Sequence, residues 1–218
     1  MPQITIDPRS RGDVSETVSL TPVPQVARDY GFLPDLRHCR AGDLILSHSV
    51  STSWLDKQIT RAQTQAGCSA ADSCWTHAAM FLYEDFILEA VPRKGVITRT
   101  LYEDIPNSVL RVRRRPDLEV EERYKIALCA QKMLGTRYDL GAALSLGWRS
   151  RFKRLWNRDW RPSFKSAVIC SQVVYDAYAE ITLKLLQGCP MRGDVMPAHL
   201  SATSDLEDIP IPWVELLR

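Results

Sequence analysis

The apolar positions of this chain change rhythm several times, and each change marks an element. Residues 42–49, GDLILSHS, run Leu44, Ile45 and Leu46 together behind a Gly-Asp turn signal, the pattern of a buried strand. Residues 53–63, SWLDKQITRAQ, space Trp54, Leu55, Ile59 and Ala62 at helical intervals behind Ser53 as a cap. Residues 74–92, CWTHAAMFLYEDFILEAVP, hold two apolar runs on either side of Tyr83-Glu84-Asp85, which predicts a hairpin. GVITRTLYEDI (95–105) and SVLRVRRRP (108–116) read as further strands or strand edges. From Glu121 to Leu134 no breaker intervenes before Gly135, which predicts a helix with Cys129 as a plain core residue. A last helix follows Cys170, with Val173, Val174, Ala177, Tyr178 and Ile181 at i, i+3, i+4 spacing.

The two ends read differently. Residues 1–40 scatter Pro2, Pro8, Pro22, Pro24 and Pro34 among polar positions, with only Gln25–Tyr30 as a short helix. They are expected to form an arm or lid outside a core domain of residues 41–218. The tail from 190 to 218 is punctuated by proline and is expected to wrap the surface.

Composition narrows the class of protein. A chain of 218 residues with 45% hydrophobic and 25% charged residues fits one globular domain. The net charge of +2 implies no nucleic-acid partner. The start, MPQITID, lacks the basic and apolar regions of a secretory signal, so synthesis in the cytoplasm as a soluble protein is expected. Six scattered cysteines suit free thiols better than a disulfide framework, with a Cys68–Cys74 bridge left open.

Charge is concentrated in one place. Residues 145–165 carry seven basic side chains against Asp159 alone, interleaved with Trp148, Phe152, Trp156 and Trp160. On a helix Trp148, Phe152 and Trp156 would share one face. That face would pack on the domain beneath a solvated basic rim, or lie on an anionic membrane surface.

Cys170 is the chemical question. At the first turn of its helix, unpaired N–H groups and the helix dipole would stabilise a thiolate, and the same donors could hold an oxyanion. Ser171 beside it is a candidate for the substrate or oxyanion side. A nucleophile needs a base, available only from His38, His48, His77 and His199. His77 lies inside the first hairpin strand, a rigid setting; His48, at a strand end, is the runner-up. A three-residue loop centred on Glu84 would pair positions 79 and 89 and make Glu89 a diagonal neighbour of His77. A two-residue loop would shift the register by one and turn Glu89 to the other face. Cys68, Cys74 and His77 have a loosely zinc-like spacing without an obvious fourth ligand, so no metal site is assigned.

The series GDLILSHS, WTHAAMFL, ILEAVPRKGV, GTRYDL, VICSQVVYDAY and MPAHLSATSDLE resembles the circularly permuted NlpC-type cysteine hydrolases of the papain-like superfamily, most closely the YiiX/YebB-like group. The resemblance extends over roughly residues 41–207. It implies an α+β papain-like fold, an antiparallel sheet packed against helices, with the histidine strand preceding the cysteine helix. By position it implies Cys170 as nucleophile, His77 as general base and Glu89 as the acid that orients it. Tyr138 in GTRYD would line the site, Gly42-Asp43 would be structural, and no cofactor is required.

Amide hydrolysis in peptidoglycan stem peptides is the leading expectation for the substrate; reaching the wall would call for a specialised secretion route, as for a toxin-like effector, or for lysis, and the alternative is action on cytoplasmic fragments. Lipid acyl hydrolysis or transfer, as in the related lecithin retinol acyltransferase-like proteins, would instead set Trp148, Phe152 and Trp156 on a membrane. An inactive binding module is the third reading.

Overall fold

The computed structural model describes residues 14–15, 23–139, 167–182, 186–190 and 194–216. In chain order its elements are β1 (Val14–Ser15), α1 (Gln25–Tyr30), β2 (Phe32–Pro34), β3 (Leu44–Ser49), α2 (Trp54–Gln65), α3 (Ala70–Ser73), β4 (His77–Tyr83), β5 (Phe86–Val91) and β6 (Gly95–Thr100). They continue with β7 (Ser108–Arg114), α4 (Val120–Gln131), β8 (Arg137–Tyr138), β9 (Ala167–Val168), α5 (Cys170–Thr182), α6 (Pro197–Ala202), β10 (Glu207–Ile209) and β11 (Trp213–Glu215). Six strands make one antiparallel sheet in the order β10-β7-β3-β4-β5-β6, giving the α+β architecture.

Both faces of this sheet are covered, which is why its strands read as unbroken apolar runs. Leu44, Leu46, Ala78, Met80 and Leu88 pack against α4 and α5 through Ile126, Ala130, Val173 and Ala177. Cys129 joins this core, as its place in the helical pattern predicts. The alternate positions Ile45, Ala79, Phe81 and Ile87 meet Leu33, Leu36, Tyr102, Ile105 and Trp213 on the other side.

That second core corrects the reading of the chain ends. Val23, Ala27, Leu33 and Leu36 are buried in it, not held in an arm apart from the core. β2 pairs with β11, Leu33 facing Val214, so the tail supplies part of the same cover. An apolar sheet face must be shielded from water, and these two terminal stretches do it. In α2 the Ser53 cap forms as predicted, in a capping box with Asp56, but Trp54 is 64% exposed. All six cysteines are free, so Cys68 and Cys74 are not bridged. The basic, tryptophan-rich stretch 145–165 lies outside the described residues.

β7 is an interior strand despite its run of arginines, because each buried guanidinium finds partners. Arg111 pairs with Asp208 at 2.7 Å, and Arg113 donates to the carbonyls of Leu200, Ser201, Thr203 and Leu206 around the end of α6. Arg114 grips Asp43 at 2.8 and 2.6 Å. Gly42, at φ 83°, lies where a Cβ would come within 3.2 Å of the Arg123 carbonyl, and its own carbonyl accepts from the Tyr178 hydroxyl at 2.6 Å. The Gly-Asp pair thus pins β3 to both helices.

Candidate active site

The hairpin between β4 and β5 decides which side chains share a face. Tyr83 faces Phe86 across a two-residue turn, Glu84-Asp85, with Glu84 at φ 51°. Taken alone, that turn would set the register that removes Glu89 from His77. Leu82, however, is an extra residue between the Phe81–Ile87 and Tyr83–Phe86 pairs, and this bulge shifts the register back by one. Ala79 therefore faces Glu89, the pairing expected from a three-residue loop.

His77 opens β4 and Glu89 lies diagonal to it, with Nε2 and Oε2 2.6 Å apart. Glu89 is only 3% exposed, whereas His77 keeps 26% of its side chain accessible. Such burial alone would raise the carboxyl of Glu89, but the charges and hydrogen bonds of His77 and Arg99 outweigh it and bring the group down to about 2. Arg99 donates to Glu89 through Nε at 2.5 Å and Nη2 at 3.1 Å, and Nη2 also donates to both oxygens of Asp104 at 2.9 Å.

Cys170 is the first residue of α5. The carbonyl of Ile169 accepts from the N–H groups of Gln172 and Val173, so the N–H groups of Cys170 and Ser171 precede the helical ladder. Burial pushes the thiol up; the charge and hydrogen bond of His77 and the N–H groups of Ala78 and Ser171 pull it down further. Pairing of β4 with β5 begins at Ala79, one residue beyond Ala78. His77 responds in the opposite sense: burial depresses it, but Cys170 and Glu89 hold it well above the usual histidine range. Each shift favours the charged form of its group, the thiolate for Cys170 and the imidazolium for His77.

Tyr138 reaches this pair from β8, which runs parallel to β9 with Tyr138 facing Val168, two residues before Cys170. Burial and the negative charge of Cys170 raise its phenol, so it stays a neutral O–H donor. The strand is fixed to β6, where Val96 N–H donates to the Thr136 carbonyl at 2.8 Å. Gly95, at φ 79°, permits that crossing, because a Cβ there would sit 2.3 Å from the same carbonyl oxygen.

The other candidates stand apart from the thiol. Ser171 is fully buried and its hydroxyl donates to the Val195 carbonyl at 2.7 Å, which leaves only its backbone N–H facing Cys170. His48 Nδ1 lies 3.3 Å from the Ser49 carbonyl, and the ring packs edge-on to Trp75 at 5.7 Å. His199 accepts the Met196 N–H at 3.0 Å and caps α6. Cys74 donates to the Ala71 carbonyl; among the described residues no group of three or more His, Cys, Asp or Glu is arranged to hold a metal.

Arg99 and Asp104 are the site residues that the sequence reading missed. The signal was present: a buried glutamate in an apolar strand needs a cation, and the Val91–Gly95 pairing places Arg99 diagonal to it. The sequence matches no curated protein. The fold is α+β with an antiparallel sheet, and residues 38–187 match the family described as permuted papain-like amidase enzyme, YaeF/YiiX, C92; the chain belongs to that family and is a papain-like cysteine hydrolase.

Proposed function

We propose that the protein hydrolyses an amide bond with Cys170 as nucleophile, His77 as acid and base, and Glu89 as the group that orients His77. The observation that carries this reading is geometric: Cys170 opens α5 within hydrogen-bond reach of His77, and Glu89 holds Nε2 of the same ring at 2.6 Å. Because Nε2 is held by Glu89, Nδ1 is the nitrogen left to serve Cys170.

In the first step Sγ adds to the carbonyl carbon of the amide and the carbonyl oxygen takes the negative charge. We assign that oxygen to the backbone N–H groups at the start of α5 and to the neutral Tyr138 hydroxyl. The C–N bond breaks as His77 Nδ1 gives its proton to the leaving nitrogen, leaving a thioester on Cys170. His77, now neutral, takes a proton from water, whose oxygen attacks the thioester and releases the acid and the thiolate.

Peptidoglycan stem peptides are the substrate class we favour. Membership in an amidase family favours an amide over an ester, and the similarity to NlpC-type hydrolases favours wall peptides. Mass spectrometry of products from muropeptides and from phospholipid vesicles, each incubated with wild type and Cys170→Ala, tests this. Stem-peptide cleavage that depends on Cys170 is the expected result. Fatty acid released in place of peptide would transfer the protein to the lipid-acting branch.

A further inference from the structure

The carboxylate that holds His77 is itself held from behind. Arg99 faces Ile87 on β5, and Ile97 faces Glu89, so the arginine approaches Glu89 on the diagonal. It spans two acids: Nε and Nη2 bind Glu89, while Nη2 also binds both oxygens of Asp104. Asp104 ends a 3-10 turn, Leu101–Asp104, whose start is capped by the Thr100 hydroxyl accepting from Tyr102 N–H at 3.2 Å. Leu101, Tyr102 and Ile105 anchor that turn in the second core. Glu89 and Arg99 alone would sum to zero beside His77, whereas Asp104 returns the trio to one net negative charge.

We infer that Arg99 is a positioning residue for Glu89, and that Asp104, by offsetting the charge of Arg99, sets the pH range over which the Cys170–His77 pair is charged. This rests on the reading of Cys170 and His77 as the working pair. Among the described residues, the charged and titratable groups around that pair are Glu89 from β5, Arg99 from β6 and Asp104 from the turn after it, with Tyr138 beside the thiol and Asp139 beside Tyr138. From β3 the facing neighbour is the uncharged Ser47.

Forming the thiolate and deprotonating the imidazolium each remove one positive charge, so a change in local potential moves both in the same direction. Asp104→Asn leaves Arg99 balanced by Glu89 alone, makes the site more positive and lowers both pKa values. Arg99→Gln removes the positive charge and raises both. Arg99→Lys keeps the charge and restores the wild-type positions.

The test is the rate of Cys170 alkylation by iodoacetamide against pH, resolved by peptide mass spectrometry, in variants whose folding is checked by thermal melting. The expected result is opposite displacement of the profile, down for Asp104→Asn and up for Arg99→Gln, each by about half a pH unit or more. If Arg99→Gln does not fold, Asp104→Asn read against wild type and Arg99→Lys decides the matter. An activated wild-type thiol whose profile stays put in Asp104→Asn, or moves upward, overturns the inference. A wild-type Cys170 no more reactive than an ordinary thiol instead overturns the catalytic reading beneath it, and the inference falls with it.

Discussion

His77 Nε2 and Glu89 Oε2 lie 2.6 Å apart, so Glu89 occupies one nitrogen of the ring and leaves Nδ1 as the one available to Cys170. An imidazolium donates there through Nε2–H, which leaves its second N–H, at Nδ1, to serve the thiolate in the proposed mechanism. Glu89→Gln keeps the size of the side chain but removes the charge that steadies the imidazolium, and the amide can present either a donor or an acceptor to Nε2. The expected loss is about 10²–10⁴-fold in kcat/KM with the fold intact, measured on the substrate that wild type cleaves.

Glu89 also makes stability depend on pH. Its carboxyl falls from 4.5 in the unfolded reference to about 2 in the folded protein. A lowered folded value contributes stability that is fully present above the unfolded value and is lost as pH falls through the folded one. Denaturant unfolding between pH 5 and about 2 should show this loss in wild type, and a smaller slope in Glu89→Gln. Equal slopes in the two proteins would contradict the assignment.

Gly95 links the Tyr138 strand to the sheet. With φ at 79° and the Thr136 carbonyl oxygen 2.3 Å from where a Cβ would lie, Gly95→Ala must displace backbone. We expect a cost above ~1 kcal/mol, read as a lower midpoint in denaturant, together with reduced activity as Tyr138 moves.

Arg113 is a structural counterpart to the arginine behind the site. Arg113→Met would strand the carbonyls of Leu200, Ser201, Thr203 and Leu206 that it now satisfies. A destabilisation of about 3 kcal/mol or more is expected from chemical denaturation. The alkylation profile of Cys170 in the folded variant should stay unchanged, because β7 and β4 are separated by β3.

Local patterns carried much of this architecture and failed where contacts are distant. Strand and helix periods located β3, β4, β5, α4 and the helix after Cys170, since each element is periodic within itself. The 79–89 register was reached through a three-residue loop, whereas the chain uses a two-residue turn and the Leu82 bulge, two departures that cancel. Arg99 stayed hidden because its strand was read alone, and its importance exists only across the β5–β6 pairing. The burial of residues 23–38 was hidden for a similar reason. Leu33 owes its place to Val214, and no local window spans that separation.

Whether His77 keeps Cys170 ionised can be measured by site-resolved alkylation across pH in wild type and His77→Ala. The other thiols serve as controls within the same sample, since burial pushes Cys39 up to about 12 and Cys189 up to about 11. Cys170 alone should react rapidly at neutral pH, and His77→Ala should slow it toward the behaviour of an ordinary thiol. Alkylation of Cys170 as slow as that of Cys39 in wild type, or unaffected by His77→Ala, would contradict an ionised Cys170 activated by His77.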